Sequence, residues 1–290
     1  MFGLKFTMVA AVATIALTPA QANTSNASIQ KERMDLAGKE RMLIQRIVKS
    51  SCLVMSNIDT EHYAVSAIKD TNTFEATLAD LISGSTERNW PPEENSRTLA
   101  QLQDTYVKWK VLRPAALQVS HGDLMSFAVS QIITETDTTV TAMDTAVTGM
   151  ANLSHNTGVD PKISKTLNAA GKQRMLSQKL AKEFCFLHND VSAELHRELL
   201  IETAATFEKN LNKLLNADTV SSEFIAPPTP QTERHLENAK RIWQDLFPIM
   251  QHAINGKKTT QHDLENVAHM SDELLSEMIA AVNEYVAGTT

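Results

Sequence analysis

Two arginines in this chain stand in surroundings that could do chemistry, and the surroundings are the same. Ala37-Gly38-Lys39-Glu40-Arg41-Met42-Leu43-Ile44-Gln45 returns as Ala170-Gly171-Lys172-Gln173-Arg174-Met175-Leu176-Ser177-Gln178, at an offset of 133 residues (171 − 38). A duplicated segment can pack against its own copy. A residue on the contact face then meets its counterpart, as in a two-fold dimer. That face would bring Arg41 to Arg174. A guanidinium does not shed its charge, so two of them held together repel. A small oxyanion between them would turn the repulsion into charge-assisted, bidentate hydrogen bonds. The same residues also fit ordinary surface arginines paired with a glutamate, such as Glu40 or Glu183.

The repeat runs well beyond this string. Cys52 matches Cys185, and Thr73-Phe74-Glu75 matches Thr206-Phe207-Glu208, at the same offset. Trp109 and Pro114 match Trp243 and Pro248 one residue further on, and each copy carries a Pro-Pro pair, Pro91-Pro92 and Pro227-Pro228. Two homologous modules, 23–155 and 156–290, account for these matches; each has a common domain size. Apolar residues recur at steps of three and four, and no βαβ alternation appears. The spacing predicts helices at about 26–58, 61–83, 95–120 and 123–150, then at about 161–188, 190–216, 231–254 and 260–287. Asp160-Pro161 is a helix start, a cap followed by proline at the first helical position. Gly84 and Gly256 stand where helices should stop, and Pro114 and Pro248 predict a kink or break late in the third helix of each copy. The expected architecture is all-α, two tandem up-down four-helix bundles.

The first helix of each module carries two stripes. Gly38, Arg41, Gln45, Val48, Cys52 and Met55 alternate at steps of three and four, as do Gly171, Arg174, Gln178, Ala181, Cys185 and His188. This is a heptad seam of small and polar residues, suited to contact between the modules. Met34, Leu43, Ile47 and Val54, with Leu167, Leu176, Leu180 and Leu187, form a second, apolar stripe suited to each bundle's own core. Glycine inside a helix costs roughly 0.5–1 kcal/mol relative to alanine; its recurrence one turn before each arginine points to a close approach. If the two first helices run parallel, Cys52 and Cys185 come to the same height. In an oxidising compartment they could bridge; two separately buried thiols are the alternative.

The string Ala-Gly-x-x-Arg-Met-Leu-x-Gln on a first helix resembles the N-terminal sensor domain of type IV pilus chemotaxis transducers (PilJ-like). It is also similar to the periplasmic helical sensor module of NarX-type nitrate/nitrite kinases. In those kinases the Gly and the Arg bind nitrate where the first helices of two subunits meet. The resemblance implies ligand-contacting positions at Gly38, Arg41, Gly171 and Arg174, with Met42 and Met175 the next motif residues and Gln45 and Gln178 one turn on. It implies a small anion, nitrate or nitrite, as ligand, and a membrane sensor kinase, chemoreceptor or transporter as partner. Family members usually add transmembrane helices and a cytoplasmic signalling domain, neither of which this sequence shows.

The N-terminus reads as a secretory signal peptide over 1–22: Lys5, an apolar run from Phe6 to Leu17, then Ala20-Gln21-Ala22. A periplasmic protein with no membrane span after cleavage is the expectation. A net charge of −7 argues against nucleic acid and against an acidic membrane surface. Two cysteines are too few for a disulfide scaffold. No catalytic residues, metal site or cofactor are expected: Cys-x-x-Cys-His, a Gly-rich phosphate loop and a nucleophile elbow are missing. The pairs His188 with His196 and His262 with His269 read as solvated surface histidines, Trp109 and Trp243 as core anchors, and Thr134 to Thr148 as a Thr-rich stretch without assigned function. A non-enzymatic sensory protein is the first reading. A protein–protein interaction module of a chemotaxis or type IV pilus system is the second, and a helical-bundle enzyme or electron carrier the third.

Overall fold

The structure, a computed structural model, describes residues 19–123, 126–153, 160–217 and 223–288. Eight long helices make it up: α1 (Pro19–Met55), α2 (Thr60–Ser83), α3 (Ser96–Ser120), α4 (Ser126–Leu153), α5 (Pro161–His188), α6 (Ala193–Leu215), α7 (Pro230–Ile254) and α8 (Gln261–Gly288). The first four form one bundle and the last four another, with α1 lying along α5 as the most extensive helix pair. The chain is thus an all-α tandem of helical bundles. The expected signal peptide lies outside the described residues over 1–18, and α1 already runs through Ala22. The expected module boundary at 155/156 also lies outside them.

Local chemistry repeats between the copies. The turn from α1 to α2 puts Asn57 and Asp59 at positive φ, and the turn from α5 to α6 does the same with Asp190 and Ser192. Asn and Asp tolerate the left-handed region better than most residues. Asn95 caps α3 by accepting from the Thr98 amide, and Thr229 caps α7 by accepting from the Thr232 amide. The Asp160 side chain accepts from the Lys162 amide at the start of α5. Gly84 ends α2 and Gly256 follows α7, both at positive φ. Pro114 and Pro248 do not break their helices: α3 and α7 continue through them. Each lies on a helix whose inner face is held by a buried tryptophan. Trp109 packs on Phe74 with ring centroids 4.3 Å apart, and Trp243 packs on Phe207 at 4.9 Å.

The two stripes of the first helices bury in different directions. Met34, Leu43, Ile47 and Val54 join the apolar core, as do Leu167, Leu176 and Leu180. Gly38, Arg41, Gln45, Val48 and Cys52, and Gly171, Arg174, Gln178, Ala181 and Cys185, are also buried. Their burial comes from α1 and α5 packing together. At one end of this seam Cys52 and Cys185 form a disulfide, with Cα atoms 6.2 Å apart. A cross-link between residues 133 apart closes a long loop. Chain-entropy arguments then place its contribution at about 2–5 kcal/mol. The double variant Cys52→Ser/Cys185→Ser should lose stability in that range in urea unfolding. An unchanged midpoint would show that α1 and α5 are held by packing alone.

Charged pairs cross between the bundles in a matching way. Lys49 on α1 reaches Asp272 on α8 at 2.5 Å, and Lys182 on α5 reaches Asp137 on α4 at 3.4 Å. Lys182 follows Lys49 at 133, and Asp272 follows Asp137 at 135 (272 − 137). Both lysines are buried. Burial pulls the Lys49 pKa down, with Asp272 opposing. Burial also works against Lys182, but Glu183 and Asp137 hold its pKa above the ordinary value.

Candidate functional site

Arg41 and Arg174 lie at the middle of the α1/α5 contact, 0% and 1% exposed. A Cβ added at Gly38 would stand 3.2 Å from the Arg174 Nη2 and 3.5 Å from the Arg41 Nη2; one added at Gly171 would stand 3.2 Å from the Arg41 Nη2 and 3.4 Å from the Arg174 Nη2. Both Nη2 atoms therefore converge on the gap that the two glycines leave open. An alanine at either position would crowd the opposite guanidinium, which would have to give way slightly.

The other edges of the guanidinium groups are held by neighbours. Arg174 donates through Nη1 to Asp35 Oδ1 at 2.8 Å and through Nη2 to the Asp35 carbonyl at 3.2 Å. Arg41 donates through Nη1 to Asn168 Oδ1 at 2.9 Å and to the Asp144 carboxylate. Asp35 and Asn168 are equivalent residues of the two copies, each serving the arginine of the other. Lys39 joins Asp35 at 2.9 Å, and its counterpart Lys172 joins Asp144 at 3.2 Å. Four cations thus share two carboxylates. Burial would raise both carboxyl pKa values, but Arg174 and Lys39 hold Asp35 below the ordinary range, and Arg41 and Lys172 do the same for Asp144. Burial lowers the Arg41 pKa, Asp144 opposes, and the nearby Arg174 lowers it further.

Several buried polar atoms here have no protein partner. They are Arg41 Nε and Nη2, Arg174 Nε, both amide atoms of Gln45, and Gln178 Oε1. Gln178 Nε2 donates to the Ser271 carbonyl at 3.0 Å. A buried donor left unmatched costs about 1–3 kcal/mol, more when charged. The unmatched atoms lie along one seam, which combines permanent positive charge, free N–H groups on Arg41, Arg174 and Gln45, and two free amide oxygens, with little access for water. Met42 joins the apolar core and Met175 packs at its margin, so these two motif residues form apolar walls. The disulfide lies further along the same seam.

Sequence reasoning singled out the arginines, glycines and glutamines but missed their counter-ions. Neither Glu40 nor Glu183 pairs with an arginine of the seam. Asp35 and Asn168 lie just upstream of the repeated string, where alignment at 133 would have found them. Asp144 sits in the Thr-rich stretch and has no acidic counterpart: at 135 residues on, α8 carries Ile279. His196 is a further correction. It is 3% exposed, bonds Glu183 at 2.5 Å and stacks on Phe186 at 4.7 Å; it occupies the place of the buried Tyr63 in the first copy. His188 is half-buried against Thr259, whereas His262 and His269 are exposed. Among the described residues no group of three or more His, Cys, Asp or Glu could hold a metal ion, and no helix is long and apolar enough to cross a membrane.

Glu40 is the residue beside Arg41 that the copies treat differently. Its counterpart Gln173 donates through Nε2 to the Phe207 carbonyl at 2.9 Å. Glu40 is 1% exposed, and its Oε2 has no partner. Burial pushes its carboxyl well above the usual range, with Thr77 opposing and Asp70 adding to the rise. An acid whose native pKa is raised binds its proton more tightly folded than unfolded. Stability then falls as pH rises from the unfolded glutamate value, about 4.3, toward the native value. Glu40→Gln removes that fall and restores the amide of the other copy. Thermal unfolding followed from about pH 4.5 to 8 should show the variant gaining about 1 kcal/mol at neutral pH. A variant less stable than wild type at neutral pH would show that the Glu40 charge is accommodated.

No curated protein matches the chain. The sequence profile of the type IV pili methyl-accepting chemotaxis transducer N-terminal domain (PilJ) matches it twice, over residues 20–134 and 162–269. The first match spans α1 to α3 and enters α4; the second spans α5 to α7 and enters α8. Each therefore carries one copy of the glycine–arginine string. The chain belongs to the family of type IV pili methyl-accepting chemotaxis transducer N-terminal domains, in tandem duplicate.

Proposed function

We propose that this is a non-enzymatic, periplasmic sensory protein that binds a small oxyanion between α1 and α5, nitrate or nitrite favoured, and signals through a membrane partner. In this reading the two modules divide at 155/156, and residues 1–22 are a signal peptide. One observation carries the site: two fully buried guanidinium groups converge over two glycines while keeping unmatched donors. A planar or tetrahedral oxyanion offers the acceptors those donors lack. It also removes the repulsion between two like charges in a poorly screened place. Gln45, whose Nε2 has no partner, would complete the cradle, and Gln178 would add the second N–H of an amide already held by the Ser271 carbonyl. Binding ties α1 more tightly to α5, and a surface seen by the partner changes with it. The partner would be a sensor kinase, a chemoreceptor or a transporter.

The interaction-module reading has its own support. The outer face of α3 exposes Tyr106, Val107 and Val111, where the same face of α7 carries Lys240, Arg241 and Asp245. A solvated face needs no apolar residues, and the second copy shows the polar version.

A thermal-shift series separates the two. Nitrate, nitrite, chloride, sulfate, phosphate and small carboxylates are compared at matched ionic strength. A ligand that binds only the native state adds about 2.7 kcal/mol at a hundredfold excess over its Kd. Nitrate or nitrite should raise Tm selectively, and Arg41→Ala or Arg174→Ala should abolish the rise. Both variants should still fold, because Lys172 remains for Asp144 and Lys39 for Asp35. Wild-type affinity in either variant would sink the site, and a flat response to every anion would favour the interaction module.

A further inference from the structure

The two arginines are not equally shut in. Asp35, the carboxylate on Arg174, is 11% exposed, whereas Asp144, the carboxylate on Arg41, is 33% exposed. Asp144 also lines a recess of about 350 Å³ between α3 and α4, together with Arg97, Gln101, Thr145 and Gly149. That recess shares Arg97, Gln101 and Thr145 with a larger groove of about 630 Å³ running along the same two helices. The Thr-rich face of α4 forms one wall of this passage, with Thr138, Thr141, Thr145 and Thr148 following the helix. The Thr138 and Thr145 hydroxyls donate to carbonyls of their own helix, so mainly methyl groups and small side chains face the groove. Asp144 is thus where a fully buried guanidinium meets a solvent-reached recess, and Arg97 and Lys172 stand near it with positive charge.

The carboxylate is also placed to let go. One oxygen takes Arg41 and the other takes Lys172 at 3.2 Å. It can release the arginine and remain paired with the lysine, which is itself 35% exposed. The second copy has no such device, since Ile279 stands in the corresponding place on α8. We propose that Asp144 is a displaceable counter-ion that gates the oxyanion site, and that the ligand reaches Arg41 through the α3/α4 recess as Asp144 swings to Lys172. The gate rests on the oxyanion reading given above. It makes Asp144 a determinant of affinity: an arriving anion must displace a resident negative charge, so the site fills at a higher ligand concentration than it would without Asp144. It also gives the Thr-rich stretch a role, as the wall of the way in.

Nitrate binding to the purified full chain tests this, with Kd from calorimetry and association rates from stopped-flow, at fixed ionic strength. Asp144→Asn should tighten nitrate binding about tenfold through loss of the competing charge and speed association. Asp144→Ile, which copies the second module, should act in the same direction. Thr145→Trp fills the recess from an exposed helix position and should slow association at least several-fold with little change in Kd. Thermal unfolding without ligand is recorded for every variant. If both Asp144 variants lose Tm while Kd stays the same or weakens, Asp144 is only a structural counter-ion and the gate is wrong. If Thr145→Trp associates at the wild-type rate, the route is wrong. If wild type binds nitrate in an Arg41-dependent way, either of those results overturns the gate alone. If neither wild type nor Asp144→Asn binds, gate and oxyanion site fall together.

Discussion

Everything in this molecule is arranged around two positive charges that cannot be neutralised by losing a proton. Arg41 and Arg174 sit at the contact of α1 and α5 with essentially no exposure. Burying one unpaired ion costs several kcal/mol, and burying two of like sign adds their repulsion. The fold meets this with Asp144 from the same bundle for Arg41 and with polar partners lent across the module boundary. Asp35 of the first copy serves Arg174, Asn168 of the second serves Arg41, and Lys49 and Lys182 reach acids on the opposite bundle. Pulling the bundles apart would strand these groups together. The two modules are therefore one electrostatic unit, and the apolar core that holds Trp109 and Trp243 also runs through both.

Much of this could be read from the chain because the duplication supplied an internal comparison. A glycine or an arginine that recurs at a fixed offset is marked as a seam residue, and the seam Gly38, Arg41, Gln45, Val48, Cys52 follows from helical spacing alone. Helix limits were legible where capping chemistry is explicit, as at Asp160-Pro161. What the comparison hides is whatever the copies do not share. Asp144 has no acidic twin, so nothing in the repeat singled it out. His196 replaces a tyrosine, and its burial comes from the inner face of α6 meeting Glu183, a contact that spacing on one helix cannot show. The prolines were legible as a kink or break, and of the two the break does not occur: Pro114 and Pro248 remove one hydrogen bond each, and the helices run on through them.

Three differences between the copies near the arginines share a pattern. Each puts a neutral polar or apolar group in the second copy where the first has an acid: Asn168 for Asp35, Gln173 for Glu40, Ile279 for Asp144. A site made by two identical chains would have to carry every acid twice or not at all. In a single chain the number of carboxylates around the arginines can be set one at a time. Four cations against two carboxylates leaves an excess of positive charge at the seam, beside donors that have no protein partner.

The disulfide between Cys52 and Cys185 joins helices that already belong to one polypeptide. A receptor assembled from separate subunits is only as complete as its dimer, so its sensitivity drifts with how much of it the cell makes. Here the second half of the seam is always present at the high effective concentration of a tethered group, and the covalent tie fixes its register as well. Dilution cannot take this pairing apart. The contact of α1 with α5 is the same whether the protein is scarce or abundant.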